Sequence, residues 1–112
     1  MGKEERIQKI LDSWRDTGRL NRDSWENVKS VLDHYGFSYV KKSHWVCSHP
    51  VLSSLAKNPH SKDVLKAAKL DSLGQFSVNV THGKGKDPGM VIRVYLEFVE
   101  SAIELVNIVS GD

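Results

Sequence analysis

The apolar residues of this chain first change period at Gly36, and that change limits the possible folds more than any other feature. Before it, Ile7, Ile10, Leu11 and Trp14 recur at i, i+3, i+4 and i+7, the stripe of an amphipathic helix over 3–15 that Thr17-Gly18 ends. Trp25, Val28, Val31, Leu32 and Tyr35 form a second stripe. Asn21 or Asp23 is placed to cap that second helix, and Glu26, three residues after Asp23, has capping-box spacing. Gly36 then supplies a residue able to take positive φ at the helix end. After it the pattern is extended. Phe37-Ser38-Tyr39-Val40 is rich in aromatic and β-branched side chains and reads as a strand. Lys41-Lys42-Ser43 is a polar turn and His44-Trp45-Val46-Cys47 the return strand, so 37–47 is predicted to be a hairpin. Pro50, which cannot donate to a ladder, marks its end.

Residues 51–60 read as a loop. Ser61 is placed to cap a short helix running to about Leu70, with Val64, Leu65 and Ala68 on one face. Gly74 breaks the chain, and Phe76-Ser77-Val78-Asn79-Val80 alternates as a half-buried strand does. Gly83-Lys84-Gly85-Lys86-Asp87-Pro88-Gly89 is a basic loop. A helix is expected at about 93–108, from Tyr95, Phe98, Val99, Ala102, Ile103, Leu105 and Val106; residues 90–92 fit either strand or helix. The expected class is α+β: a three-stranded antiparallel sheet with helices packed on one face. At 112 residues the chain suits one domain, 1–112, and is too short for a barrel of eight βα units or a two-half dinucleotide fold. No apolar run approaches the ~20 residues of a membrane span. The start lacks the apolar core of a secretory signal, and the single Cys47 excludes an internal disulfide. These features predict a cytoplasmic protein with no membrane partner.

Net charge is only +2, but it is unevenly spread. Residues 1–40 carry seven basic and seven acidic side chains. Residues 41–86 carry eight lysines against Asp63 and Asp71, and four of the five histidines. Residues 87–112 carry Arg93 against five acids. The middle third is therefore a candidate polyanion surface, set against the plain alternative of lysines that solvate loops and a short helix.

His44 stands out within it, directly after Lys41, Lys42 and Ser43 and before Trp45. Lysines can hold phosphates, and an aromatic ring can stack a base. An imidazole can take the proton from a ribose 2′-hydroxyl, freeing that oxygen to attack the adjacent phosphate. The competing reading makes His44 an ordinary strand residue. A metal site from His44, Cys47 and His49 is disfavoured, because successive strand residues face opposite ways, which points His44 and Cys47 apart, and no second Cys/His pair has zinc spacing. The glycines and lysines at 83–86 lack the phosphate-loop pattern, and there is no Gly-x-Ser-x-Gly elbow. Cys47, among aliphatic and aromatic neighbours, reads as a core residue. No cofactor and no metal are expected.

Residues 20–106 resemble the HicA toxins, small mRNA interferases of bacterial toxin–antitoxin systems. The resemblance rests on a helix ending in Tyr35-Gly36-Phe37, a strand, and Ser43-His44 entering the next strand, which His49-Pro50 closes. It continues through Val78-Asn79-Val80-Thr81-His82-Gly83 and through Val91 to Val106, with Tyr95-Leu96 and Ala102-Ile103. It implies an α-β-β-β-α fold like that of double-stranded RNA-binding domains, cleavage of mRNA, and neutralisation by a HicB-like antitoxin. The family's essential histidine falls on His44. Lys41, Lys42, Lys84 and Lys86 would hold phosphates and Ser43 would orient His44 or a phosphate oxygen. Trp45 would stack a base or pack the core, and His82 is a candidate second proton-transfer group. Three departures stand out. Lys42 replaces the usual glycine of Gly-Ser-His, where it either hinders close approach at the turn or adds a phosphate contact. Residues 51–73 form an insertion, and residues 1–19 precede the usual start. The rival readings are a non-catalytic RNA-binding module of the same fold and a protein-interaction domain.

Overall fold

The computed structural model describes residues 2–15, 22–81 and 89–111. Its elements run α1 (Lys3–Arg15), β1 (Arg22–Ser24), α2 (Trp25–His34), β2 (Ser38–Lys41), β3 (Trp45–Ser48), α3 (Pro50–Ala56), a 3-10 turn (Pro59–Ser61), α4 (Lys62–Ala67), β4 (Phe76–Val78), β5 (Met90–Ile92) and α5 (Arg93–Val109). The chain is α+β. Strands β2, β3 and β4 form an antiparallel sheet in that order, with Tyr39 opposite Cys47 opposite Phe76, and Lys41 opposite Trp45 opposite Val78. Those two rows face inward: Cys47, Phe76 and Val78 are buried, whereas Val40 and Ser77 on the other face are exposed. The helices cover the inner face alone. Ile7, Ile10, Leu11 and Trp14 of α1, Val28, Val31 and Leu32 of α2, and Leu96, Val99 and Ile103 of α5 meet the sheet in one core. The 1–19 segment thus contributes a helix to the core. Among the described residues no helix is long and apolar enough to cross a membrane.

Several local expectations are corrected. Asp23 does not cap α2; Ser24 does, in extended conformation, its hydroxyl accepting from the Asn27 N–H at 3.2 Å. Asp23 is otherwise engaged: its carboxylate accepts from Trp14 Nε1, Asn27 Nδ2 and the Ser24 N–H at 2.7–2.9 Å. Asn21 lies outside the described residues, as do Thr17 and Gly18.

Residues 51–60 are largely helical rather than loop. Pro50 starts α3 at a position where the missing N–H costs nothing, and the His49 ring caps it, Nδ1 accepting from the Val51 N–H at 3.1 Å. Ser61 makes no side-chain cap bond to α4; Asn58 caps the 3-10 turn before it. Val64 is exposed, so Leu65 carries the burial of that helix.

Strand β4 is shorter than 76–80. Residues 90–92 are a strand that pairs with β1 in a second, two-stranded sheet the sequence reading lacked. His44 sits in the hairpin turn rather than opening the return strand.

Candidate nucleic-acid interface

The β2–β3 hairpin closes through Lys42, Ser43 and His44, with the Lys42 N–H donating to the His44 carbonyl at 2.8 Å. This bond spends the turn's backbone on itself and pushes all three side chains into solvent, where each is exposed. His44 then lies on the rim of a groove of about 430 Å³. Ser77 and Asn79 of β4 and its flank line one side, Tyr95 and Phe98 of α5 another. Lys69, Asp71 and Gln75 close it from the 51–73 insertion and the residues after it. Imidazole, ammonium, amide, phenol, hydroxyl and one carboxylate group, that of Asp71, therefore share one open groove with the apolar side chains of Leu70, Phe76 and Phe98. Volume does not pick out this site: a cavity of about 600 Å³ beside α1, with Lys3, Arg6 and Asn27, holds no imidazole.

Other residues singled out from the sequence fall elsewhere. Trp45 does not line the groove. It is half-buried among Trp25 and Tyr39, with ring centroids at 5.0 and 5.7 Å. Lys41, directly opposite in register, sets its ammonium 5.7 Å from the Trp45 ring centre. That contact occupies the face a base would need. Lys42 and Ser43 share the turn with His44 without lining the groove. His82, Lys84 and Lys86 lie outside the described residues.

Two groups near the hairpin are fixed in structural roles. Burial pushes the Cys47 thiol from its ordinary 9.0 up to about 12, which disqualifies it as a nucleophile. His49 has both ring nitrogens committed. With Nδ1 accepting from Val51, Nε2 carries the proton and donates to the Tyr35 carbonyl at 2.9 Å. Burial, and then the 3.0 Å hydrogen bond to Asp33, raise the Tyr39 phenol above its ordinary 10.0. Among the described residues no group of three or more His, Cys, Asp or Glu is arranged to hold a metal ion.

Sequence reading missed Lys69, Gln75, Asn79 and Tyr95. The one available signal was on β4, where Ser77 and Asn79 fall on the polar phase of the alternation. No family model, curated protein or solved structure matches the chain.

Proposed function

We propose that the chain is a HicA-like, metal-independent endoribonuclease, a cytoplasmic mRNA interferase held in check by a HicB-like antitoxin, with His44 as its essential group. The observation that carries this reading is the exposed His44 imidazole on a self-bonded turn, at a groove whose lining mixes polar side chains with Leu70, Phe76 and Phe98. That is what RNA transesterification asks of an enzyme: an accessible base beside a cleft that can hold the backbone. His44 takes the 2′-hydroxyl proton. The 2′-oxygen forms a bond to the adjacent phosphorus, and the bond to the 5′-oxygen breaks. A proton from water or from a second groove donor goes to that leaving oxygen. The products are a 2′,3′-cyclic phosphate and a free 5′-hydroxyl. Lys42 on the same turn adds positive charge beside the reacting phosphate.

The test is incubation of the protein with labelled single-stranded RNA in the presence of EDTA, with His44→Ala alongside and circular dichroism confirming that both are folded. Cleavage that leaves cyclic phosphate ends and disappears in His44→Ala is the expected result. Salt-sensitive binding without cleavage by the intact protein would refute the enzyme and leave an RNA-binding module. With neither binding nor cleavage, an interaction domain becomes the better description.

A further inference from the structure

We propose that the 51–73 insertion supplies a backbone-phosphate subsite, Lys69, one step along the groove from His44; this rests on the ribonuclease reading above. The first observation is position. Lys69 and His44 line the same groove, and β4 runs between them. Asp71, two residues after Lys69, donates its N–H to the Gln75 carbonyl at 2.9 Å, which places the Lys69 end of the groove beside the start of β4. His44 precedes Trp45, which pairs with Val78, so His44 stands by Asn79 at the other end. Four residues of extended chain from Gln75 to Asn79 span about 13 Å. An RNA strand laid along β4 therefore meets the two residues at different backbone positions.

The second observation is independent of the first. Three helices end with a left-handed residue: Gly36 after α2 (φ 82°), Gly111 after α5 (φ 79°), and Lys69 after α4 (φ 66°). Among the described residues Lys69 alone does this without being glycine. The motif around it is the same one that Gly36 completes. The Lys69 N–H donates to the Lys66 carbonyl and the Leu70 N–H to the Leu65 carbonyl, just as Gly36 donates to Asp33 and Phe37 to Leu32. Glycine would sit there with less strain, so lysine holds this position at a cost to the fold.

The ammonium is held but not consumed. It lies 3.9 Å from Glu97 Oε2, while Arg93 Nε is 3.8 Å from Glu97 Oε1. About half of the Lys69 side chain (49%) stays exposed beside that carboxylate. The acid that lines the groove, Asp71, turns one oxygen inward to accept the Leu73 and Gln75 N–H groups at 2.9 Å. Lys69 thus binds substrate rather than touching the reacting atoms, and its loss shows in affinity before turnover.

The experiment compares Lys69→Gly and Lys69→Arg. Binding of a short labelled single-stranded RNA is measured across salt in the His44→Ala background, and cleavage kinetics in the His44 background. For Lys69→Gly the expectation is about fivefold weaker binding at low salt, and a slope of log affinity against log salt shallower by about 0.7. KM should rise correspondingly with kcat little changed, and the melting temperature should be equal or higher, because glycine relieves the strained residue. Lys69→Arg retains the slope. A merely structural role would lower the melting temperature and leave the slope alone. Cleavage and binding unchanged in Lys69→Gly would overturn the subsite while the ribonuclease reading stood. An intact protein that binds no RNA would overturn both.

Discussion

His44 and His49 are five positions apart, and the structure treats them oppositely: the His44 ring is exposed on a turn, while both His49 ring nitrogens are bonded. Replacing His49 with alanine removes the cap on α3, worth about 1 kcal/mol. It also leaves the half-buried Tyr35 carbonyl without its donor, at about 1 kcal/mol. The edge-to-face contact with Phe37, at 4.8 Å between ring centres, is lost too and adds roughly 0.5–1 kcal/mol. The expected loss is therefore about 3 kcal/mol, or a melting temperature lower by roughly 10 °C for a chain of this size. His49→Asn is the informative partner: an asparagine oxygen can still accept the Val51 N–H but cannot reach Tyr35, so about 1 kcal/mol should return. Urea denaturation followed by circular dichroism measures both, with His44→Ala, an exposed turn residue, expected to stay within about 0.5 kcal/mol of the parent. A His49→Ala protein as stable as the parent, or an asparagine that does no better than alanine, would show that His49 does not cap α3. Abolished RNA cleavage in a fully stable His49→Ala would move His49 from the scaffold into the chemistry.

Three further outcomes follow from the same structure. Gly74→Ala should cost at least about 2 kcal/mol in the same denaturation assay, since Gly74 has φ 76° and a Cβ there would lie 2.5 Å from the Leu52 carbonyl oxygen. Stability should also fall at high pH through Cys47. The buried thiol stays neutral up to about 12 while that of the unfolded chain ionises above 9.0, so its contribution is whole below pH 9 and lost as pH rises toward 12. At pH 10.5 the parent should have lost about 2 kcal/mol that Cys47→Ala, with no thiol to titrate, retains; parallel pH profiles would contradict this. Asp23→Ala should cost about 3 kcal/mol by stranding the fully buried Trp14 N–H, and a double-mutant cycle with Trp14→Phe should show about 1–2 kcal/mol of coupling.

The parts of the fold that were legible in the sequence are those whose signal is local. The stripes of α1, α2 and α5 repeat often enough to outweigh any single residue, and a polar turn between two aromatic, β-branched runs was legible one residue out of place: it reads as Lys41–Ser43, whereas Lys41 ends β2 and His44 belongs to the turn. The three-residue strands β1 and β5 carry no comparable period. They exist because each satisfies the other's backbone, Arg22 opposite Ile92 and Ser24 opposite Met90, a pairing between segments almost seventy positions apart. Helix α3 was hidden for a different reason: its cap is an imidazole, outside the Ser, Thr, Asp and Asn set that marks helix starts. At the site, His44 was legible because its cations, hydroxyl and ring are sequence neighbours. That same adjacency misled for Trp45 and Lys41, whose side chains engage one another and the Trp25–Tyr39 cluster instead of joining His44 in the groove.

The insertion shows how a long excursion can leave the sheet intact and still reshape the site. Strands β3 and β4 are antiparallel neighbours, so their joined ends lie close together whatever is placed between them. Closing a loop costs only slowly more as it lengthens. The segment also returns on itself: Gly74 packs against the Leu52 carbonyl so closely that no side chain fits between them, and Leu52, Leu65 and Leu70 bury into the common core. Its stability is thereby tied to that of the domain. The α4 end it presents to the groove, with Lys69 on its left-handed residue, is then a fixed surface rather than a tethered one. A lysine whose backbone is fixed leaves less of the chain to be ordered when an anion arrives than the same lysine on an unpacked loop. Under the proposed ribonuclease function, Lys69 and the residues that seat it would set how tightly RNA is held, and His44 whether it is cut.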